Sequence, residues 1–195
     1  MKYSLVIIGF LFAAASPAPR NTERWVVSAQ SELIIRGTTN VNDFVCRTGF
    51  NDVRDTLELL LANKDCPIIF SRNAMIIPVA SFDCGNQMIT KDFQETLSAN
   101  RYPELTLRFV SIEEQVPGVA SGSVAGVVEI TLTGTTRSYS VLYSLAGNGD
   151  RSVSLVGKQD VCFSDFNLNA PRKMMGLIKV QDDLEVEFRL HLQKL

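Results

Sequence analysis

The chain has 195 residues, a formal net charge of −2 and four cysteines, and 46% of its residues are hydrophobic. This length fits one domain that buries a substantial core. The 19 basic and 21 acidic residues are dispersed along the chain and form no basic stripe, so we expect no nucleic-acid partner.

The N-terminal segment has the layout of a secretory signal peptide. One positive charge at Lys2 precedes an apolar run from Leu5 to Ala15, and this run is too short to span a bilayer. Ala13 and Ala15 occupy the small-residue positions of a cleavage site, which predicts cleavage after Ala15. We therefore expect an exported protein, periplasmic or secreted, with no integral membrane span. The predicted segments are a signal peptide over residues 1–15, a short leader over 16–24 and a single domain over 25–195.

Most of the mature chain alternates apolar and polar residues with a period of two, which is typical of half-buried strands. The alternation is clearest from Leu184 to Leu192, where His191 falls on the polar face as a solvated residue rather than a catalyst. The dipeptide Asn148-Gly149 predicts a hairpin turn. The predicted strands lie within residues 31–38, 43–50, 57–61, 67–79, 105–109, 121–133, 137–145, 152–163 and 184–192.

One stretch between these strands has helical spacing instead. In FDCGNQMITKDFQETL, the apolar residues Ile89, Phe93 and Leu97 fall four apart, and Asn86 is a suitable N-cap. We therefore predict an all-β fold with one short helix, whose strands form an antiparallel sandwich or barrel. Closure into a barrel removes exposed sheet edges, and an eight-stranded interior is either filled by side chains or holds one small ligand.

The four cysteines all lie in the mature region, and an even number in an exported chain suggests two disulfides. Of the three pairings we favour Cys46 with Cys84 and Cys66 with Cys162. The alternative is buried free thiols, because a domain of this size is stable without disulfides. No C-x-x-C pair is present and His191 is the only histidine, so we expect no metal site.

Four segments follow one another in the order LIIRGTTNVNDFVC, IPVASFDCGNQMITKDFQETLSANRYPELTLRF, GVVEITLTGTTRSYSVLYSL and SDFNLNAPRKMMGLIKVQDDLEVEFRLHL. In this order they resemble the YceI-like family of exported proteins, and the resemblance covers about residues 25–195. It implies an extended, lipocalin-like antiparallel β-barrel with a helix beside its opening. It also implies a long hydrophobic pocket for an isoprenoid quinone, a polyprenyl chain or another long amphiphile such as a fatty-acyl lipid. The chain differs from the better-known members in its four cysteines and in lacking a histidine near Asn40.

The inward strand faces and the helix stripe would supply the apolar walls that such a pocket needs. In the loop RKMMGL, the adaptable side chains of Met174 and Met175 would lie at the pocket, although methionine is also ordinary core filler. Arg172 and Lys173 would contact a polar or anionic head group, unless they are simply solvated. The predicted pocket residues are Leu33, Ile35, Leu59, Ile77, Phe93, Leu97, Leu107, Phe109, Ile130, Val141, Tyr143, Met174, Met175, Val186 and Phe188.

An enzyme is not expected, because SGSVAG lacks the spacing of a nucleophile elbow and no nucleotide-binding fingerprint is present. The remaining alternative is a structural or protein-interaction barrel with a filled core, for which Leu60, Ile76 and Leu142 would supply outward apolar side chains. The expected partner is thus a long-chain lipid-like ligand, with no cofactor beyond it, and a homodimer is left open.

Overall fold

The computed structural model describes residues 21–50, 56–61, 68–72, 74–113, 122–147 and 151–195. In these residues twelve strands form one antiparallel sheet, and the single α-helix is α1 (Gln87–Thr96). The strands are β1 (Asn21–Val27), β2 (Glu32–Thr39), β3 (Asp43–Gly49), β4 (Thr56–Leu61), β5 (Ile68–Arg72), β6 (Ala74–Pro78), β7 (Glu104–Glu113), β8 (Ser123–Leu132), β9 (Thr135–Gly147), β10 (Ser152–Cys162), β11 (Arg172–Lys173) and β12 (Ile178–Lys194). The predicted signal peptide and the predicted Asn148-Gly149 turn lie outside the described residues.

The sheet closes into a barrel because its first and last strands pair. Neighbouring strands follow the order β1-β4-β5-β7-β8-β9-β10-β12, and β1 then pairs with β12 to complete an eight-stranded ring. Strand β12 serves both ends of the barrel: Leu192 to Lys194 pair with β1, whereas Val180 to Arg189 pair with β2. This closed antiparallel barrel confirms the predicted fold class. We call its two ends the β1 end and the α1 end.

At the α1 end the ring continues through β2 and β3 on one side and β6 on the other. There β3 meets the segment that follows β6, and the backbones of Arg47 and Asp83 exchange two hydrogen bonds of 2.8 Å. The hydroxyls of Thr48 and Ser81 lie 2.7 Å apart. We call this junction between β3 and residues 81–84 the seam.

A disulfide between Cys46 and Cys84 crosses the seam, which confirms the first predicted pairing. Disulfides of this kind are typical of oxidising, extracytoplasmic compartments. The second predicted pairing is not formed, because the half-buried Cys162 has a free thiol in the structure; its predicted partner Cys66 lies outside the described residues.

The helix follows the seam and closes over the α1 end. The Asn86 side chain accepts hydrogen bonds from the backbone N–H of Met88 at 2.9 Å and of Ile89 at 3.3 Å, which confirms the predicted N-cap. Phe93 and Leu97 are buried and Ile89 packs beside them, so the apolar stripe faces the core. At ten residues, the helix found in the described ranges is too short to cross a bilayer.

Each predicted strand segment overlaps an observed strand, and the segment 67–79 contains both β5 and β6. Strand β1 and the two-residue β11 have no counterpart among the predicted strands. Strand β1 begins at Asn21, so residues 21–24 belong to the sheet although they were assigned to the leader. The alternation of apolar and polar residues is not visible at the start of β1, because Glu23 and Arg24 are both charged. Glu23 forms an ion pair with Lys194 and Arg24 with Glu58, both on neighbouring strands.

Candidate ligand-binding site

The described residues enclose a cavity at each end of the barrel interior. The cavity at the α1 end measures about 40 Å³. A single water needs roughly 10–15 Å³ by this kind of measure, so this cavity has room for only a few water-sized groups. Its walls are almost entirely hydrophobic, and they consist of Leu33, Ile35, Phe93, Leu97, Leu105, Leu107, Ile130, Leu132, Val161, Cys162, Phe163, Phe166, Leu168, Leu184 and Val186.

The cavity at the β1 end is much larger, at about 350 Å³. This volume reaches the lower part of the range for small-molecule sites, roughly 300–1,000 Å³. Strand β1, which was not predicted from the sequence, contributes Glu23 and Trp25 to the lining of this cavity. The complete lining is Glu23, Trp25, Leu59, Phe70, Ile112, Gly122, Ser123, Val124, Leu145, Val153, Leu155 and Leu192.

A small polar cluster borders the cavity at the β1 end. The indole N–H of Trp25 donates a hydrogen bond to Oε2 of Glu23 at 3.2 Å, and Lys194 pairs with the same carboxylate. The Lys194 ammonium also lies 5.9 Å from the centre of the Trp25 ring. The hydrogen bond from Lys194 lowers the pKa of Glu23 below its ordinary value, so the cluster is an ion pair at neutral pH.

A packed layer separates the two cavities. Along β12, Val186 lines the α1-end cavity and Leu192 the β1-end cavity, whereas Phe188 and Leu190 between them line neither and are each 1% exposed. The same order recurs along β7, where Phe109 is the buried residue between the cavities. We call this layer the packed middle; its members include Phe109, Val128, Val141, Tyr143, Phe188 and Leu190.

The structure distributes the predicted pocket residues over these regions. At the α1-end cavity lie Leu33, Ile35, Phe93, Leu97, Leu107, Ile130 and Val186. At the β1-end cavity lies Leu59. Buried in the core without lining either cavity are Ile77, Phe109, Val141, Tyr143 and Phe188.

The RKMMGL loop lies away from both cavities. Met174 is 67% exposed and Met175 is fully exposed, and neither residue lines a cavity. Lys173 donates a hydrogen bond of 2.6 Å to Asp92 of α1, and Arg172 is exposed. The contact between Lys173 and Asp92 therefore fastens this loop to the helix.

Most walls of the larger cavity were missing from the predicted pocket. Trp25 lies on β1, which was not predicted because the charged residues Glu23 and Arg24 interrupt its alternation of apolar and polar residues. Leu192 continues the inward face of Val186 and Phe188, and Val153 and Leu155 share one face of β10. The period-two alternation, extended to the ends of β10 and β12, predicts that Val153, Leu155 and Leu192 face inward.

Groups that could do chemistry are sparse in the described ranges. Nδ1 of His191 lies 2.9 Å from the hydroxyl of Ser154 on the neighbouring strand. No cluster of three His, Cys, Asp or Glu side chains that could hold a metal ion occurs among the residues that the structure describes.

A family model for the YceI-like domain matches residues 25–192, which is nearly the whole barrel. The chain belongs to the YceI-like family. This confirms the resemblance found in the sequence. No curated protein sequence matches the chain.

Solved structures with the same fold support this YceI-like barrel. Burkholderia cenocepacia BcnA has a TM-score of 0.59 and 19% sequence identity, and the match covers 85% of this chain and 98% of that one. A polyisoprenoid-binding domain from Saccharophagus degradans, implicated in plant cell wall breakdown, has a TM-score of 0.57 and 12% identity, with 88% and 98% covered. At these identities the likeness establishes the fold alone.

Proposed function

We propose that this YceI-like protein binds a long-chain, lipid-like molecule inside its barrel and leaves it chemically unchanged. The observation that carries the proposal is the cavity of about 350 Å³ at the β1 end. Apart from Glu23, Gly122 and Ser123, every residue of its lining is hydrophobic, as sites for apolar ligands require. The candidate ligands are an isoprenoid quinone, a polyprenyl chain and a fatty-acyl lipid.

The energetics of burial are sufficient for such a ligand. Ten buried CH₂ groups release roughly 8 kcal/mol, at about 0.8 kcal/mol each. This corresponds to about micromolar affinity before the costs of ordering the ligand are subtracted. The polar cluster of Glu23, Trp25 and Lys194 lies where a more polar part of the ligand would meet the cavity edge.

Family membership supports the same class of ligand, because one structural neighbour is described as a polyisoprenoid-binding domain. We further propose that the protein is exported to the periplasm or secreted, with residues 1–15 as its signal peptide. The disulfide between Cys46 and Cys84 fits this location.

The packed middle favours a second candidate, a structural or protein-interaction barrel without a ligand. Phe109, Tyr143 and Phe188 fill the centre of the barrel, and a chain longer than the β1-end cavity would have to displace such side chains. This candidate predicts that the cavity stays empty in the purified protein.

Native mass spectrometry of the full chain, purified from its exporting host without detergent, distinguishes the two candidates. We expect a stoichiometric adduct that organic extraction removes as a prenyl or acyl lipid. The stripped protein should then take up decylubiquinone, farnesol or palmitate. A clean apo mass, with no uptake of any of the three probes, would favour the filled barrel and contradict the binding proposal.

A further inference from the structure

The turn between β11 and β12, at the α1 end, presents apolar side chains to solvent. Met174 and Met175 are exposed, and Leu177 is 72% exposed. We call these three residues the apolar tip. Single exposed apolar residues are ordinary on protein surfaces, but three within four consecutive positions form a contiguous apolar patch. Such a patch indicates a contact with something outside the chain.

The fold holds the apolar tip in place from both sides. The side chain of Asn40 donates a hydrogen bond to the carbonyl oxygen of Leu177 at 2.9 Å and accepts one from the backbone N–H of Lys179 at 2.8 Å. On the other side, Lys173 donates its hydrogen bond to Asp92 of α1. Because both flanks of the turn are fastened, the exposure of the tip is a property of the folded barrel.

The backbone of the turn gives no reason for methionine at its first two positions. Met174 and Met175 have φ values of 51° and 56°, in the left-handed region. Asparagine and glycine enter this region more readily than residues with long side chains. Either would form the turn more easily and would expose less apolar surface. The two methionine side chains therefore contribute something other than the turn itself.

Two unpaired cations lie at the base of the apolar tip. Arg172 and Lys179 are both exposed and stand directly opposite each other in the register of β11 and β12, where like charges repel. Neither side chain forms an ion pair with a carboxylate in the described part of the chain. Asp92 is already paired with Lys173, and Asp43 lies on β3, two strands from β12. An anion from outside the chain would relieve this repulsion.

The order of these groups along the hairpin matches the order of layers in a bilayer. Arg172 lies two residues before the apolar tip, or roughly 7 Å at about 3.3 Å per residue. Interfacial segments bury their apolar groups about 5–10 Å deep, at the boundary of head groups and acyl chains. With the tip at that depth, the cations of Arg172 and Lys179 reach the lipid phosphates. A specific protein interface needs about 800 Å² on each side, which three side chains do not supply.

We propose that the apolar tip and the two cations dock this protein onto the surface of a membrane that contains anionic phospholipids. The tip enters the head-group boundary, and Arg172 and Lys179 bind lipid phosphates. This inference goes beyond the proposed function and does not depend on it, because the hairpin lines neither cavity. It assigns the RKMMGL loop to a membrane contact instead of a pocket mouth.

Flotation of the full chain, purified from its exporting host, with phospholipid vesicles tests the proposal. We expect binding to vesicles of equal parts phosphatidylcholine and phosphatidylglycerol, and weaker binding to pure phosphatidylcholine or at high salt. Met175→Asn should weaken binding about tenfold or more, because a buried methionine side chain is lost. This variant should fold at least as well as the wild type, since asparagine adopts the left-handed backbone more readily.

Leu142→Thr is the matched control for the apolar tip. It removes an exposed leucine from the barrel wall and places a good strand former there, so vesicle binding should equal that of the wild type. The cations have their own variants. Arg172→Gln and Lys179→Gln should each weaken binding to the anionic vesicles about fivefold and leave binding to pure phosphatidylcholine unchanged.

A separate readout keeps this inference distinct from the proposed function. Trp25 is the single tryptophan and lines the β1-end cavity, so its fluorescence reports uptake of decylubiquinone. Met175→Asn should retain this uptake. Vesicle binding without any decylubiquinone uptake would support the membrane contact while contradicting the proposed function.

Two results would overturn the membrane contact. One is a wild type that does not float with anionic vesicles, or that floats no better than Met175→Asn. The other is a dimer of the wild type in solution that Met175→Asn dissociates, because the apolar tip would then bind a second copy of the chain. Size-exclusion chromatography without vesicles measures the latter.

Discussion

The two ends of the barrel are built from the same long strands, yet one is nearly filled and the other contains a sizeable cavity. At the α1 end, Phe93 and Leu97 of the helix and Phe163 and Phe166 of a 3₁₀ turn reach into the ring, and about 40 Å³ remains. At the β1 end about 350 Å³ remains. The strand pattern is the same at both ends, so the capacity for a ligand depends on what fills each end of the barrel rather than on the alternation of its strands.

The largest expected effect concerns the packed middle that divides these ends. Phe109→Ala should lower the free energy of unfolding by about 3–5 kcal/mol, since a buried ring is lost and its neighbours cannot collapse fully. The Phe70 ring lies 5.9 Å from that of Phe109 but lines the β1-end cavity, so Phe70→Ala should cost less. Urea unfolding of both variants makes the comparison, and equal losses would contradict the division into a packed layer and a cavity.

The seam disulfide tests whether a change at the α1 end affects the β1 end. Replacing Cys46 and Cys84 together by alanine should cost about 2–4 kcal/mol, because the unfolded chain regains the freedom of a long loop. Urea unfolding measures the loss. Binding of decylubiquinone at the β1 end should survive the double replacement, and loss of binding would mean that the two ends are coupled. Cys162→Ala is the matched control, because it removes the thiol of a cysteine that forms no disulfide and should therefore destabilise the fold less than the double replacement.

Two matched valine substitutions separate the ends directly. Val124→Phe places extra atoms in the larger cavity, so we expect at least tenfold weaker decylubiquinone binding with a stability change below about 1.5 kcal/mol. Val161→Phe overfills the smaller cavity and should cost about 1–3 kcal/mol with unchanged binding. Titration of Trp25 fluorescence and thermal unfolding give the two readouts. The reverse pattern would place the ligand at the α1 end.

The smallest effect is expected at the ion pair beside the β1-end cavity. Because Lys194 lowers the pKa of Glu23, the pair stabilises the fold at pH values above the ordinary glutamate pKa. This contribution is lost as the pH falls through the lowered value. Lys194→Met should therefore cost a few tenths of a kcal/mol at neutral pH and nothing at strongly acidic pH, as measured by urea unfolding. A cost that is independent of pH would show that the stem of Lys194 matters and its charge does not.

Local patterns predicted much of the fold. The alternation from Leu184 to Leu192 identified β12, and the spacing of Ile89, Phe93 and Leu97 with Asn86 identified α1 and its cap. These features depend on residues close in sequence, where periodicity and capping act directly.

Features that depend on distant partners could not be predicted in this way. Strand β1 is held by contacts such as Glu23 with Lys194, which are 171 positions apart. Ile34 is fully buried although its neighbours Leu33 and Ile35 face the interior, and its partner in the strand register is the equally buried Glu187. Arg36 and Arg189 each contact Glu187 at 2.5 Å there, and no local pattern reveals such a network.

The volume of the cavities inside the barrel could not be predicted from the sequence either. Alternation assigns Leu107 and Leu155 to the same inward faces, but it gives no measure of the space left between opposite walls. That space depends on how side chains from five or more elements meet, and the structure places these two residues at different cavities.

The pairing of β1 with β12 also determines when the barrel can be completed. One edge of β1 finds its partner early, in β4, but the other edge pairs with Leu192 to Lys194. A chain that emerges from a ribosome with its N-terminus first thus keeps an unpaired strand edge until residues 192–194 have appeared. Such edges recruit other chains, so this period of synthesis is when the protein most needs a chaperone.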